Sequence, residues 1–269
     1  MESKRQKFGN WFRTSITARM VIVGFILLIL LIPLSFVKEL IRERGFRQTE
    51  VIQEINQKWG NQVTLYGPII KIPYKTYKEE KTYDAQSKTY IKTYEDVFHN
   101  AYFLPETLNI DSNVATESLE RGIYESVVFT SDIKLTGSFK GFDFSSEEIP
   151  DEDILWDKST VLIKTTNLKG IQNEIKVKLN TNSFSLKPQF DNQYMSTLSS
   201  GHINNLQKNH KKNIAFSIDI KINGSERLQF IPVGRETLTH MVSDWHSPSF
   251  NGNFLPDDKS NSTLLEIIL

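Results

Sequence analysis

Ile214-Ala215-Phe216-Ser217-Ile218-Asp219-Ile220-Lys221-Ile222 decides the fold class of the larger part of the chain. Every second residue is Ile or Phe, and those between are small, polar or charged. An extended backbone therefore puts all the large apolar side chains on one face, whereas a helix would scatter them. Ile175, Val177 and Leu179 alternate in the same way with Lys176 and Lys178, and Ile133 and Leu135 begin another such run towards Phe139. Residues 63–66, 69–74, 88–98, 124–130, 161–165 and 227–232 supply further strand candidates. Gly67-Pro68, Lys169-Gly170 and Asn223-Gly224 punctuate them, the last as a hairpin dipeptide. Strands separated by turn signals roughly every ten residues predict one mainly β domain over residues 60–269, antiparallel and sandwich-like.

Upstream the period changes. Val51, Ile52, Ile55 and Trp59 stand at helical spacing, and Gly60-Asn61 provides a stop, so residues 38–59 read as a helix. That helix continues an uncharged run, MVIVGFILLILLIPLSFV, which begins at Met20 and ends at Val37. At the helical rise it spans about 27 Å, close to the roughly 30 Å hydrocarbon layer of a bilayer. Its Val, Ile, Leu and Phe residues favour insertion by about 4 to 8 kcal/mol together. The run exceeds the apolar core of a cleavable signal peptide and no small-residue cleavage site follows it, so it reads as an uncleaved anchor. The lipid bilayer is thus the first expected partner, through Met20 to Val37. Lys4, Arg5, Lys7, Arg13 and Arg19 face a single acid, Glu2, in the preceding tail of residues 1–19. Lys38, Arg42, Arg44, Arg47 and Lys58 follow the span, so the positive flanks are nearly balanced. The short, acid-poor tail favours a cytoplasmic N-terminus and a translocated domain.

Composition narrows the function classes. The 269 residues carry 32 Lys plus Arg against 32 Asp plus Glu, a formal net charge of zero that argues against a nucleic-acid binder. With 39% hydrophobic residues the chain is not compositionally disordered. It has no cysteine, which excludes disulfides, thiolate metal sites and a cysteine nucleophile. The five histidines show no HExxH or comparable spacing, and there is no nucleophile elbow, phosphate-binding glycine loop or dinucleotide fingerprint. His240, Asp244 and His246 are the nearest approach to a titratable cluster. Glu79-Glu80 would point to opposite faces of a strand. The basic run 208–212 and the acidic run 147–153 read as solvated loops. No catalytic residue, metal site or cofactor is expected.

Two segments are distinctive. One is Leu65-Tyr66-Gly67-Pro68-Ile69-Ile70-Lys71-Ile72-Pro73. The other begins at Phe230-Ile231-Pro232-Val233-Gly234-Arg235 and continues to Trp245-His246-Ser247-Pro248-Ser249-Phe250-Asn251-Gly252-Asn253-Phe254-Leu255-Pro256. Tyr102-Phe103-Leu104-Pro105-Glu106 and Arg121-Gly122-Ile123-Tyr124 lie between them. With the anchor and Arg42-Glu43-Arg44, these resemble the CreD family of inner-membrane, cell-envelope integrity proteins. The W-x-x-P-S-F-x-G-x-F-L-P stretch is the most specific element. The resemblance implies a bacterial inner-membrane protein with a large periplasmic domain, a link to envelope stress, envelope proteins as possible partners, and no catalytic residues to carry over.

Within these motifs Trp245, Phe250 and Phe254 suit a core, while Pro248, Gly252 and Pro256 shape the backbone. The sharper reading is an aromatic groove for lipid, glycan or peptide. A third is an anchored hydrolase using Asp244, His246 and a nearby serine. The family continues with further membrane helices, whereas this chain ends in Leu264-Leu265-Glu266-Ile267-Ile268-Leu269. That run is expected to pair as an edge or stay an exposed, poorly packed tail of a C-terminally truncated domain.

Overall fold

The computed structural model describes residues 15–84, 86, 89–145, 148–189, 195–204, 206, 212–245, 249, 258–261 and 265–268. It divides into two units, Met1–Glu54 and Ile55–Leu269. One helix, α1 (Ile16–Trp59), carries the apolar run and contains Pro33. It is long and apolar enough to cross a membrane, and none of its apolar stretch is buried within the protein. A helix satisfies its own backbone groups, which is what a hydrocarbon layer demands. The Arg47 guanidinium meets Glu43 one turn away at 2.7 Å.

The second unit opens on the last turn of α1, where Ile55 and Asn56 are buried. Asn56 Nδ2 donates to Glu226 Oε1 at 2.7 Å, and Ser126 Oγ donates to Asn56 Oδ1 at 2.8 Å. Trp59 Nε1 donates to the Phe129 carbonyl at 3.1 Å. The helix stops at Gly60 as the sequence predicts. Gly60 adopts φ 129°, and a Cβ there would meet Asn167 Nδ2 at 2.5 Å. Only glycine combines that backbone with that proximity.

Among the described residues fourteen strands follow: β1 (Val63–Asp84), β2 (Thr89–Phe103), β3 (Thr107–Arg121), β4 (Tyr124–Phe139), β5 (Thr160–Thr165), β6 (Lys176–Leu179), β7 (Asn182–Ser185), β8 (Lys187–Gln189), β9 (Ser196–Ser199), β10 (Ile214–Ser225), β11 (Leu228–Ile231), β12 (Glu236–Ser243), β13 (Asp258–Asn261) and β14 (Leu265–Ile268). They form two sheets, one ordered β11-β1-β5-β9-β8 with β2 added on β1, the other β13-β14-β12-β3-β4-β10-β6-β7. Strands β1 and β11 run parallel, as do β12 and β3; the other described pairs are antiparallel. One apolar cluster is filled from both sheets, by Val63, Ile70, Ile72, Val161 and Ile163 on one side and Leu135, Val177, Ile218, Ile220 and Ile222 on the other. Each such side chain contributes roughly 1.5–3 kcal/mol on burial. This is the mainly β, sandwich-like domain that the alternation predicts.

Four local expectations are corrected. Gly67-Pro68 does not end a strand: β1 runs through it, with a register shift against β5 between Tyr66 and Ile69. Asn223-Gly224 lies inside β10, and the chain leaves that strand only at Glu226, at φ 62°, to enter β11 of the other sheet. The acidic run is not wholly solvated, because Asp153 is 3% exposed. The apolar terminus is not an edge: β14 pairs with β12 on one side and β13 on the other, so backbone hydrogen bonds are available to it from both.

Candidate functional site

The distinctive segments converge. Leu65 and Tyr66 of β1 lie beside Phe230 and Ile231 of β11 in parallel register. The Arg235 amide donates to the Pro105 carbonyl at 3.0 Å, the Glu236 amide donates to the Glu106 carbonyl at 3.0 Å, and the Arg235 guanidinium meets Glu106 Oε1 at 2.8 Å. Three separated stretches of sequence are thus neighbours at one seam. Their residues shape backbone. Gly67 (φ 125°) and Pro68 are joined by a cis peptide and are buried, and a Cβ on Gly67 would meet the Leu162 carbonyl at 3.0 Å. Tyr66 is partly buried against the core.

Asp244 is committed to structure. Its Oδ1 accepts from the Thr116 amide at 2.9 Å and from the Thr116 hydroxyl at 2.7 Å, tying the end of β12 to β3. Trp245 follows, 39% exposed, and Ser249 is exposed. His246, Pro248, Phe250, Gly252, Phe254, Leu255 and Pro256 lie outside the described residues. His240 Nδ1 stands 3.5 Å from Asp111 Oδ1. Among the described residues no group of three His, Asp or Glu is placed to hold a metal ion.

A second feature escaped the sequence reading. Beyond Tyr74, which bridges Ile154, β1 pairs only with β2 among the described residues, so the two strands form a free arm. Directly opposed residues of an antiparallel pair share a face, and the faces alternate. Ile70 and Ile72, opposite Phe103 and Ala101, mark the core face. The outer face therefore carries the pairs Lys71–Tyr102, Pro73–Asn100, Lys75–Phe98, Tyr77–Asp96, Glu79–Tyr94, Lys81–Lys92 and Tyr83–Tyr90. The five aromatics on the free arm's outer face are at least half exposed, from Tyr77 at 50% to Tyr90 at 69%, as is Tyr102 below its root. Tyr83 and Tyr90 meet edge to face at 5.4 Å. Lys92 Nζ meets Glu79 Oε1 at 3.1 Å.

The arm's root is pinned. The Tyr77 hydroxyl donates to Asp153 Oδ1 at 2.6 Å, Lys75 Nζ is 3.3 Å from the same oxygen, and that ammonium lies 4.9 Å from the Tyr77 ring centre. Hydrogen bonding to Tyr77, and secondarily to Asp153, pushes the Lys75 pKa up to about 12. The available signal was the spacing of Tyr90, Tyr94, Phe98 and Tyr102, four residues apart and hence on one face of any strand.

With this geometry in view, comparison with known proteins is decisive. The profile of the family described as "Inner membrane protein CreD" matches residues 15–263. The chain belongs to the CreD family. It is 28% identical over 238 residues to the inner membrane protein CreD of Escherichia coli (strain K12), an alignment covering 85% of this chain and 49% of that protein. The chain therefore spans about half the length of this CreD relative. Among the described residues it carries one candidate membrane helix, α1, followed by the β-rich domain.

Proposed function

We propose that this protein is a non-catalytic component of the bacterial inner membrane that contributes to cell-envelope integrity, with its N-terminus cytoplasmic and its β domain periplasmic. One observation carries this reading: the distinctive segments 65–73, 102–106 and 230–236 meet as a structural seam of carbonyls, amides and one ion pair. Asp244, the acid of the hydrolase reading, has its Oδ1 engaged by Thr116. Membership of an inner-membrane family and the α1 span support the location. Envelope proteins are the partners this location offers.

Rescue of detergent tolerance in cells lacking the protein tests the reading. The chain restores tolerance, and Asp244→Asn, which keeps an acceptor oxygen for Thr116, restores it equally. Loss of rescue by a folded Asp244→Asn protein would show that the carboxylate does chemistry and would overturn the non-catalytic assignment.

A further inference from the structure

The arm's two faces differ in kind. The outer face of the free arm presents Tyr77, Tyr83, Tyr90, Tyr94 and Phe98, with Lys75, Lys81 and Lys92 against Glu79 and Asp96, and Tyr102 and Lys71 continue it below the root. By register the reverse face of the free arm carries Thr76, Lys78, Glu80, Thr82, Asp84, Thr89, Ile91, Thr93, Glu95 and Val97, with one cation against three acids. Aromatic exposure and positive charge are thus concentrated on the same side. Contiguous exposed apolar surface of this kind marks an interaction site.

We propose that the outer face of the β1–β2 arm docks on the surface of an anionic lipid bilayer. Tyrosine has an apolar ring and a polar tip, which suits the headgroup boundary, and lysines can extend their ammonium groups towards anionic headgroups. A bilayer asks only for rings and cations on one side of a ribbon, which is what the arm offers; a protein partner would need a complementary apolar patch. The same chain carries the α1 span, so a bilayer is always at high effective concentration around the arm. The inference rests on membrane anchoring and holds whichever side of the membrane the domain occupies.

The chain has no cysteine, so a single introduced thiol is unique. Asp96 lies on the outer face and Glu95 on the reverse, both are exposed, and each is an acid, so Asp96→Cys and Glu95→Cys remove the same charge. The full chain, labelled at either position with an environment-sensitive fluorophore, is reconstituted into vesicles with brominated acyl chains. One set is phosphatidylcholine alone and the other contains phosphatidylglycerol. The label at position 96 is expected to shift to the blue and be quenched in the anionic vesicles, and the label at 95 to remain water-like. Lys81→Gln with Lys92→Gln lowers the docked-to-free ratio roughly thirtyfold, as expected when two cations leave an anionic surface. Equal responses at 95 and 96, or no dependence on phosphatidylglycerol, would overturn the proposal. A response that follows protein density instead of lipid composition would overturn it in favour of a second copy of the chain.

Discussion

Tyr77 and Asp153 are joined by a 2.6 Å hydrogen bond that anchors the root of the β1–β2 arm to the short 3-10 segment Asp151–Asp153. The acceptor is buried and the donor half exposed, so the bond bridges the domain surface and the base of a free ribbon. Asp153→Ala removes it and is expected to destabilise the arm's root by about 1.5 kcal/mol, the lower range for a hydrogen bond to a charged group. Hydrogen exchange should report faster exchange at the amides around Lys75 and Tyr77 while the core strand β10 stays protected.

Thr116 and Asp244 form the corresponding tie at the far end of β12. Thr116→Val deletes the hydroxyl donor and keeps the amide. A loss of about 1 kcal/mol is expected, smaller than for a buried bond because the pair is exposed. In a double-mutant cycle with Asp244→Ala the two losses should be less than additive.

Ile218 sits at the centre of three strands of the second sheet. It is fully buried and lies opposite Leu135 on β4 and Val177 on β6. Ile218→Ala should cost about 2–5 kcal/mol, the range for opening a cavity in a packed core. Asp219→Ala, one residue away on the exposed face, should change stability by less than about 0.5 kcal/mol. Denaturant midpoints of the two variants give the comparison.

Glu174 supplies a pH signature. A hydrogen bond from the Ser185 hydroxyl, with help from Lys176, lowers its pKa below the ordinary 4.5. A folded-state pKa that is depressed means stability present above pH 4.5 and lost as the pH falls through the lower folded value. Ser185→Ala should therefore lower the thermal midpoint at neutral pH, and its difference from the parent should shrink under acid conditions. A difference that stays constant down to low pH would contradict this origin.

How much of this was legible varies by element, for physical reasons. Strand β10 was readable because alternation along Ile214-to-Ile222 matches its burial residue by residue. Strand β3 was missed, although Leu108, Ile110 and Val114 alternate, because Ser112 occupies the next inward position; that hydroxyl is satisfied by Ser131 across the ladder at 2.9 Å. Gly67-Pro68 looked like a strand break because the sequence does not reveal that β1 accommodates it where its register against β5 shifts. The seam between Tyr66 and Ile231 joins residues far apart in the chain, which no local pattern encodes. The span was clear because insertion depends on summed composition. The aromatic arm was not, since periodicity assigns residues to a face without showing which face the fold leaves bare.

Topology tests the central claim, an inner-membrane anchor with the β domain outside the cytoplasm. Ile123, 80% exposed at the β3–β4 turn, is a suitable reporter that does not involve the arm. An Ile123→Cys chain, otherwise free of cysteine, is treated in intact spheroplasts with a membrane-impermeant maleimide. Labelling as complete as after lysis is the expected result, whereas labelling that appears only after lysis would place the domain in the cytoplasm and contradict the account.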